Sequence, residues 1–491
     1  MRAKLTMLLL LFTGISLIAQ EEKDKVLETV NQNTIEGHIY FLADDLLKGR
    51  ETGTQENKIA AAYLANALRS YGVQPNPETG NYYQEVPMER SMPAQELEIT
   101  INNQAMAKVA PIVKGDIDYE GEFIYVGYGL ESDYNNIDVS GKIVLVKAGN
   151  EQGGEAQRSY SLLRTKRDLA KENGARAIVE LIGAQDQMWG YIDYQFNAPS
   201  IGLALEEEDA EEDFAYVWVQ DADGSLIAGI SESTSHTGKM RMVLAPEENF
   251  VSYNVVGMVP GTDPKLKDEF IIYSAHYDHV GIGAPDATGD TIYNGARDNA
   301  VGTTTVLSMA ENLTRYPTKR SALFILFTGE EKGLLGSEYY VEHPAIPLKQ
   351  MVYCFNSDNG GYNDTSLATI IGLSRTTASS HIKKAASAFG LTATDDPVPE
   401  QGLFDRSDNV NFAQKGIPAP TFGMGFTAFD EEIRKYYHQA ADEADSMDFG
   451  YLEKFFRAYV LAGRLIGNDP VTPAWTTGDK YEAAAKALYQ E

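Results

Sequence analysis

His276 and Asp278 in "SAHYDH", Asp298 in "NGARDNAVG", the pair Glu330–Glu331 in "FILFTGEEKGLLGS" and Asp358 in "NSDNGG" supply one imidazole and several carboxylates. Apart from Asp298, each group ends a short apolar, strand-prone run, so the side chains are expected to converge where strands end. Like charges gathered in one place cannot all stay ionised unless cations neutralise them. Nitrogen and oxygen donors without sulfur suit zinc, with manganese or cobalt less favoured by affinity. Adjacent residues point in different directions. Glu331 is therefore read as a metal ligand and Glu330 as a general base facing an activated water. His276 and Asp278, two apart, are expected on one side of a strand, with the aspartate accepting the ring N–H that a metal leaves free. His279 is read as facing the other way, a loop histidine outside the ligand set.

The elements that must position these groups follow a strand, loop, helix order from residue 250 onward. "EFIIYSAHYD", "SALFILFTGEE" and "MVYCFNSDNG" are apolar runs ending in polar residues, and helices are expected over 300–313, 379–389 and 449–467. Near-continuous apolar strands alternating with helices predict an α/β fold: a mixed, largely parallel sheet sandwiched by helices. In open sheets of this kind ligands bind outside the carboxyl ends of the strands. A further helix is expected where Ile59, Tyr63, Leu64, Ala67, Leu68 and Tyr71 recur at helical spacing, closed by Gly72. Residues 112–247 differ in texture. "FIYVGYG" and "GKIVLVKAG" are β-prone runs bounded by glycine, a charged helix near 161–173 ends at Gly174, and "ARAIVELIG" follows as another strand. This reads as a β-rich module inserted into a larger domain.

At 491 residues the chain exceeds the usual single-domain size. Its 71 acidic residues against 41 basic ones argue against a nucleic-acid binder, which needs a basic stripe. The opening stretch "MRAKLTMLLLLFTGISLIAQ" pairs Arg2 and Lys4 with an apolar run from Leu8 to Ile18. It is too short to span a bilayer and reads as a secretory signal cleaved after Ala19, which implies a secreted or periplasmic protein with no membrane span after processing. The lone Cys354 excludes an intrachain disulfide. The expected organisation is therefore a signal peptide at 1–19, an N-terminal part of the catalytic domain at 20–111, the inserted module at 112–247, the catalytic domain proper at 248–468 and a tail at 469–491.

The ordered runs "SAHYDH", "GARDNAVG", "TGEEKGLLGS", "NSDNGG" and "YYHQAAD" resemble those of the family-28 metallopeptidases, a co-catalytic di-zinc group that includes secreted bacterial aminopeptidases. The resemblance covers about residues 34–100 and 250–468. The inserted segment, with "FIYVGYG" and "DVSGKIVLVKAG", is similar to a protease-associated domain. The resemblance implies two zinc ions per chain bridged by Asp298, with His276 and Asp358 completing one site and Glu331 and His438 the other. It implies Glu330 as general base, Asp278 as the residue orienting His276, and Tyr437 as a group polarising the scissile carbonyl. Gln439-Ala440 after the last histidine and Val301 after the bridging aspartate depart from the family pattern and alter expected substrate contacts, not ligands. The implied activity is removal of N-terminal residues from peptides. Carboxypeptidase or dipeptidase action, a single-zinc aminoacyl cyclase and a catalytically silent receptor-like ectodomain are the competing expectations. Neither side-chain preference nor oligomeric state follows from the sequence.

Overall fold

The computed structural model describes residues 20–204 and 214–489; the signal segment expected at 1–19 lies outside them. The chain divides into two compact units, one made of the residues up to Pro87 together with Phe250–Glu491, the other of Met88–Asn249. The second unit starts well before residue 112, because the short strands Glu96–Ile101 and Val109–Val113 pair with Ser235–Val243 and Ala215–Gln220 inside it. Those strands carry no break in composition that would mark the boundary.

In the first unit the strands Phe270–His276, Ser321–Phe327 and Met351–Ser357 are buried along their whole length. Phe270–His276 runs parallel to both of the others. Thr421–Met424 continues the parallel order beyond Met351–Ser357, and antiparallel partners follow on each side: Leu367–Ile371, and residues 255–259 of Glu248–Val259. The sheet is mixed and the fold is α/β. Successive strand residues face opposite sides. Ile271, Tyr273 and Ala275, with Ala322, Phe324 and Leu326, therefore enter one apolar core, while Phe270, Ile272, Leu323, Ile325 and Phe327 enter another. With both faces covered, a strand must be apolar throughout, which is the pattern the sequence carries.

The helices that close these cores are amphipathic or buried. Gly302–Arg315 places Val306, Met309, Ala310 and Leu313 in the first core, joined there by Leu452, Phe455, Phe456 and Tyr459 of Phe449–Asn468. On the opposite face Tyr340 and Val341 of Leu335–Glu342 pack with Phe412 and Ala413 of Asn409–Gln414. The Thr54 hydroxyl caps Gln55–Tyr71 by accepting from the Asn57 N–H, and the Asp448 carboxylate caps Phe449–Asn468 by accepting from the Tyr451 N–H.

The second unit holds its own sheet, in which Ile117–Tyr125, Ile143–Lys147, Ala177–Ile182 and Ala215–Gln220 run parallel in that order. Helices Ala156–Glu172 and Asp186–Asn197 contribute to the core on one side, and Ser225–Ile230 to the core on the other. Within it Lys166 and Glu180, both fully buried, form an ion pair at 2.5 Å. Among the described residues no helix is long and apolar enough to cross a membrane.

Candidate metal centre

Three neighbouring parallel strands deliver the acidic and imidazole groups at their carboxyl ends. His276 is the last residue of its strand, Asp358 follows Met351–Ser357 directly, and Glu330 and Glu331 stand in the turn after Ser321–Phe327. Asp298 lies in the irregular turn before Gly302–Arg315, where the Asp298–Asn299 peptide is cis. His438 arrives from a loop beyond Glu431–Arg434, with its backbone in the left-handed region at φ 52°.

Asp298 is shared between two groups. Its Oδ1 lies 3.4 Å from His276 Nε2, which is 3.2 Å from Asp358 Oδ1. Its Oδ2 lies 3.2 Å from His438 Nε2, which is also 3.2 Å from Glu331 Oε2. Glu330 and Tyr437 line the same cleft of about 120 Å³, whose apolar wall includes Ile371, Leu403, Phe426 and Phe429. The Tyr437 ring stacks on His438 with centroids 4.1 Å apart.

The electrostatics describe a site that lacks balancing charge. Burial would lower the pKa of His276, yet the charges of Glu330 and Asp358 hold it well above the ordinary value. His438 behaves alike: burial opposes its proton, and hydrogen bonds to Asp298 and Glu331 raise it to about 10. Burial would raise Asp298, but hydrogen bonds from His276 and His438 hold it well below the carboxylate range. Glu331 falls to about 2, the hydrogen bonds from His279 and His438 outweighing burial and the charge of Asp298. Glu330 has no such donor and is pushed well above the usual range, by burial first and then by Asp358 and Glu331. Burial, Asp298 and Glu331 also push Tyr437 upward, so its phenol stays neutral and can donate. Protons on the two histidines occupy the place that cations would take.

The donor set fits zinc. Bonds of about 2.0–2.1 Å in a tetrahedron put neighbouring ligand atoms about 3.3–3.4 Å apart. All four nitrogen–oxygen pairs around Asp298 span 3.2–3.4 Å.

Two expectations need correction. The His276 Nδ1 hydrogen bond goes to the Asp278 carbonyl at 3.2 Å; the Asp278 carboxylate is 3.9 Å away. That carboxylate instead accepts from Thr52 Oγ1 at 2.9 Å and from the N–H groups of Glu330 and Glu331 at 3.2 and 3.3 Å. It fixes the turn that carries the two glutamates. His279 does not face away: it is fully buried, with Nδ1 2.7 Å from Glu331 Oε1. The strand stops at His276, so alternation between faces no longer governs residue 279.

Other supporting residues went unread. Asp442 accepts from the N–H groups of Arg297 and Asp298 at 3.0–3.2 Å and pairs with the Arg297 guanidinium at 3.0 Å, which fixes the turn bearing Asp298. It stands four residues after His438, inside the run "YYHQAAD". Arg50 is buried and donates to the carbonyls of Leu42, Tyr277, Asn294 and Gly295, tying together the loops that carry His279 and Asp298. Thr52, besides holding Asp278, accepts from the Gly329 N–H at 3.1 Å. Both belong to "GRETGT", a polar run ahead of a helix that offered the available signal.

Residues 254–462 match the sequence profile described as Peptidase family M28. That segment, less than half of the chain, is similar to the family. Among similar proteins, the "probable leucine aminopeptidase 2" of Aspergillus oryzae (strain ATCC 42149 / RIB 40) is 27% identical over 59% of this chain and 52% of its own length. "Aminopeptidase YwaD" of Bacillus subtilis (strain 168) is 25% identical over 81% of this chain and 76% of its own. The chain thus spans about half the length of the fungal relative and three quarters of the bacterial one. The solved structure titled "Aminopeptidase from Aneurinibacillus sp. strain AM-1" superposes with a TM-score of 0.58 at 20% identity, covering 92% of this chain and 97% of that one. That likeness is one of fold.

Proposed function

We propose that this chain is an exported metallo-aminopeptidase of the M28 family that removes N-terminal residues from peptides with two zinc ions. The observation that carries the reading is Asp298, which turns one oxygen to His276 and the other to His438, with Glu330 lining the same cleft. His276, Asp298 and Asp358 would hold one cation; Asp298, Glu331 and His438 the other. When bound, these ions supply Lewis-acid polarisation of the scissile carbonyl and acidify the attacking water.

Glu330 performs the proton transfers. It takes a proton from water as the water oxygen bonds to the carbonyl carbon, then gives it to the nitrogen as the carbon–nitrogen bond breaks. The neutral Tyr437 phenol donates to the oxygen on which negative charge develops. The substrate's free amino terminus is a cation, and the cleft's charged groups are mainly acids, namely Asp298, Glu330, Glu331 and Asp358. The names of the fungal and bacterial relatives agree with this direction of attack.

A second reading, carboxypeptidase or dipeptidase action, is favoured by Arg406, a guanidinium on the cleft that could hold a terminal carboxylate. Peptides blocked at the amino or carboxyl end separate the two. Loss of cleavage on amino blocking and survival on carboxyl blocking supports the aminopeptidase, and the reverse pattern sinks it. A purified protein that takes up no zinc and cleaves neither set favours the binding ectodomain. Export follows from residues 1–19, and an N-terminus found intact at Met1 on protein recovered outside the cytoplasm would oppose it. The second unit is proposed as a protease-associated domain.

A further inference from the structure

We propose that His279 is a positioning residue: its Nδ1–H grips Glu331 Oε1, so that Glu331 offers only Oε2 as a ligand atom. This rests on the two-cation reading above. His279, Asp298, Glu331 and His438 lie close enough together to suggest four ligands for one ion. The distances divide them. The pairs around Asp298 and His438 have the 3.2–3.4 Å separation of atoms sharing an ion. His279 Nδ1 and Glu331 Oε1 are 2.7 Å apart, the length of a charge-assisted hydrogen bond and too short for two atoms on one zinc. An ionised carboxylate only accepts, so the ring nitrogen is the donor. Glu331 is then held from both ends, Oε1 by His279 and Oε2 beside His438.

The ring's orientation is fixed by contacts independent of that hydrogen bond. Gly295 has φ +59°, and a Cβ built there would lie 2.6 Å from both Cγ and Cδ2 of His279. The ring therefore packs flush on a backbone that only glycine leaves open. His438 meets it edge-on, with centroids 5.5 Å apart at 77°. Nε2 is buried with no hydrogen-bond partner among the described residues. With the proton on Nδ1 that nitrogen carries a lone pair, which avoids stranding a second N–H. Hydrogen bonds to ligating carboxylates set their direction and basicity, and their loss typically costs 10–100-fold in metal affinity.

The test titrates cation-free wild type, His279→Ala and His279→Asn with Co2+ and Zn2+, following heat, stoichiometry and the visible cobalt spectrum. Expected are two sites in each protein, one weakened about 10–100-fold by His279→Ala. The saturated cobalt spectrum should match wild type, since no ligand atom has changed. His279→Asn, whose amide N–H replaces Nδ1–H, should restore most of the affinity and keeps the test open if the alanine variant fails to fold. A saturated spectrum that differs from wild type would make His279 a ligand and overturn the proposal. So would unchanged affinity at both sites. A wild-type protein that takes up no cation overturns the two-cation reading as well, which separates that failure from the failure of His279 alone.

Discussion

Two buried acidic centres, one in each unit, solve the problem of a charge away from water in opposite ways. In the second unit Glu180 accepts from Lys166 Nζ at 2.5 Å and from Tyr216 Oη and Trp218 Nε1, each at 2.8 Å. One carboxylate meets one ammonium, and the remaining lone pairs meet neutral donors. In the first unit Asp298, Glu330, Glu331 and Asp358 crowd a cleft whose positive charge is Arg406 and the protons borrowed by His276 and His438. A balanced pair is complete as folded. The unbalanced cluster has donors arranged at ligand spacing and too little charge to satisfy them, a deficit that the proposed cations would fill. Two buried glutamates thus differ in role because of their company, not their burial.

The comparison is tested most severely by making the same change at both centres. Glu330→Gln should lower turnover about 10²–10⁴-fold while zinc content stays at the wild-type level, because the base is removed and no ligand is. Glu180→Gln should leave turnover of the folded enzyme within error and lower only thermal stability. Steady-state kinetics with elemental analysis reads both. Full activity in the first variant would remove Glu330 from the proton-transfer role.

The next effect belongs to the balanced pair. Lys166→Met strands a buried carboxylate, and breaking one side of such a pair costs about 3–5 kcal/mol. The double variant Lys166→Met/Glu180→Met removes both charges and should recover most of that loss. Chemical denaturation of the three proteins, resolved into the transitions of the two units, gives the measurement. A single variant as unstable as the double would deny that charge pairing, and not packing, is what Lys166 supplies.

Acidity sharpens the contrast from the other side. In the cation-free protein His438 titrates near 10, above the ordinary 6.5. The stability its proton gives is complete below pH 6.5 and fades as pH rises through about 10. A zinc ion must displace that proton, so affinity at the Glu331–His438 site should rise about tenfold per pH unit across this window, releasing a proton as it binds. Zinc titrations between pH 6 and 9 in buffers of different ionisation heat report both quantities. Affinity that is flat above pH 6.5 would mean that His438 is already neutral.

What could be read from the sequence follows the same division between regular and irregular backbone. The strands ending at His276 and Ser357 and the helices near 302, 379 and 449 were legible because apolar periodicity is local and both faces of the sheet are covered. The convergence of His276, Asp358 and the glutamate pair was legible because strand ends place groups together without further information. His279, the true partner of the Asp278 carboxylate and the roles of Arg50, Thr52 and Asp442 were not. Each lies in a turn, a loop or, for Arg50, the end of a short 3-10 helix, where period-two logic fails and partners are set by segments up to some 277 residues away, as between Gly329 and Thr52. The early start of the second unit was missed for a related reason: edge strands as short as Val109–Val113 carry too few residues to show a pattern.

The smallest effect separates a hydrogen bond from a charge at Glu180. Tyr216→Phe deletes one neutral donor and leaves Lys166 and Trp218 in place. A hydrogen bond to a charged group is worth about 1.5–3 kcal/mol, so the loss should fall below that of Lys166→Met. The ring stays buried in the same core, and packing is conserved. Thermal melts of the variant should show a modest drop with turnover unchanged. A loss as large as that of Lys166→Met would mean that Glu180 is held chiefly by its neutral donors, and the distinction drawn between a self-balanced acid and a cation-dependent cluster would then rest on the first unit alone.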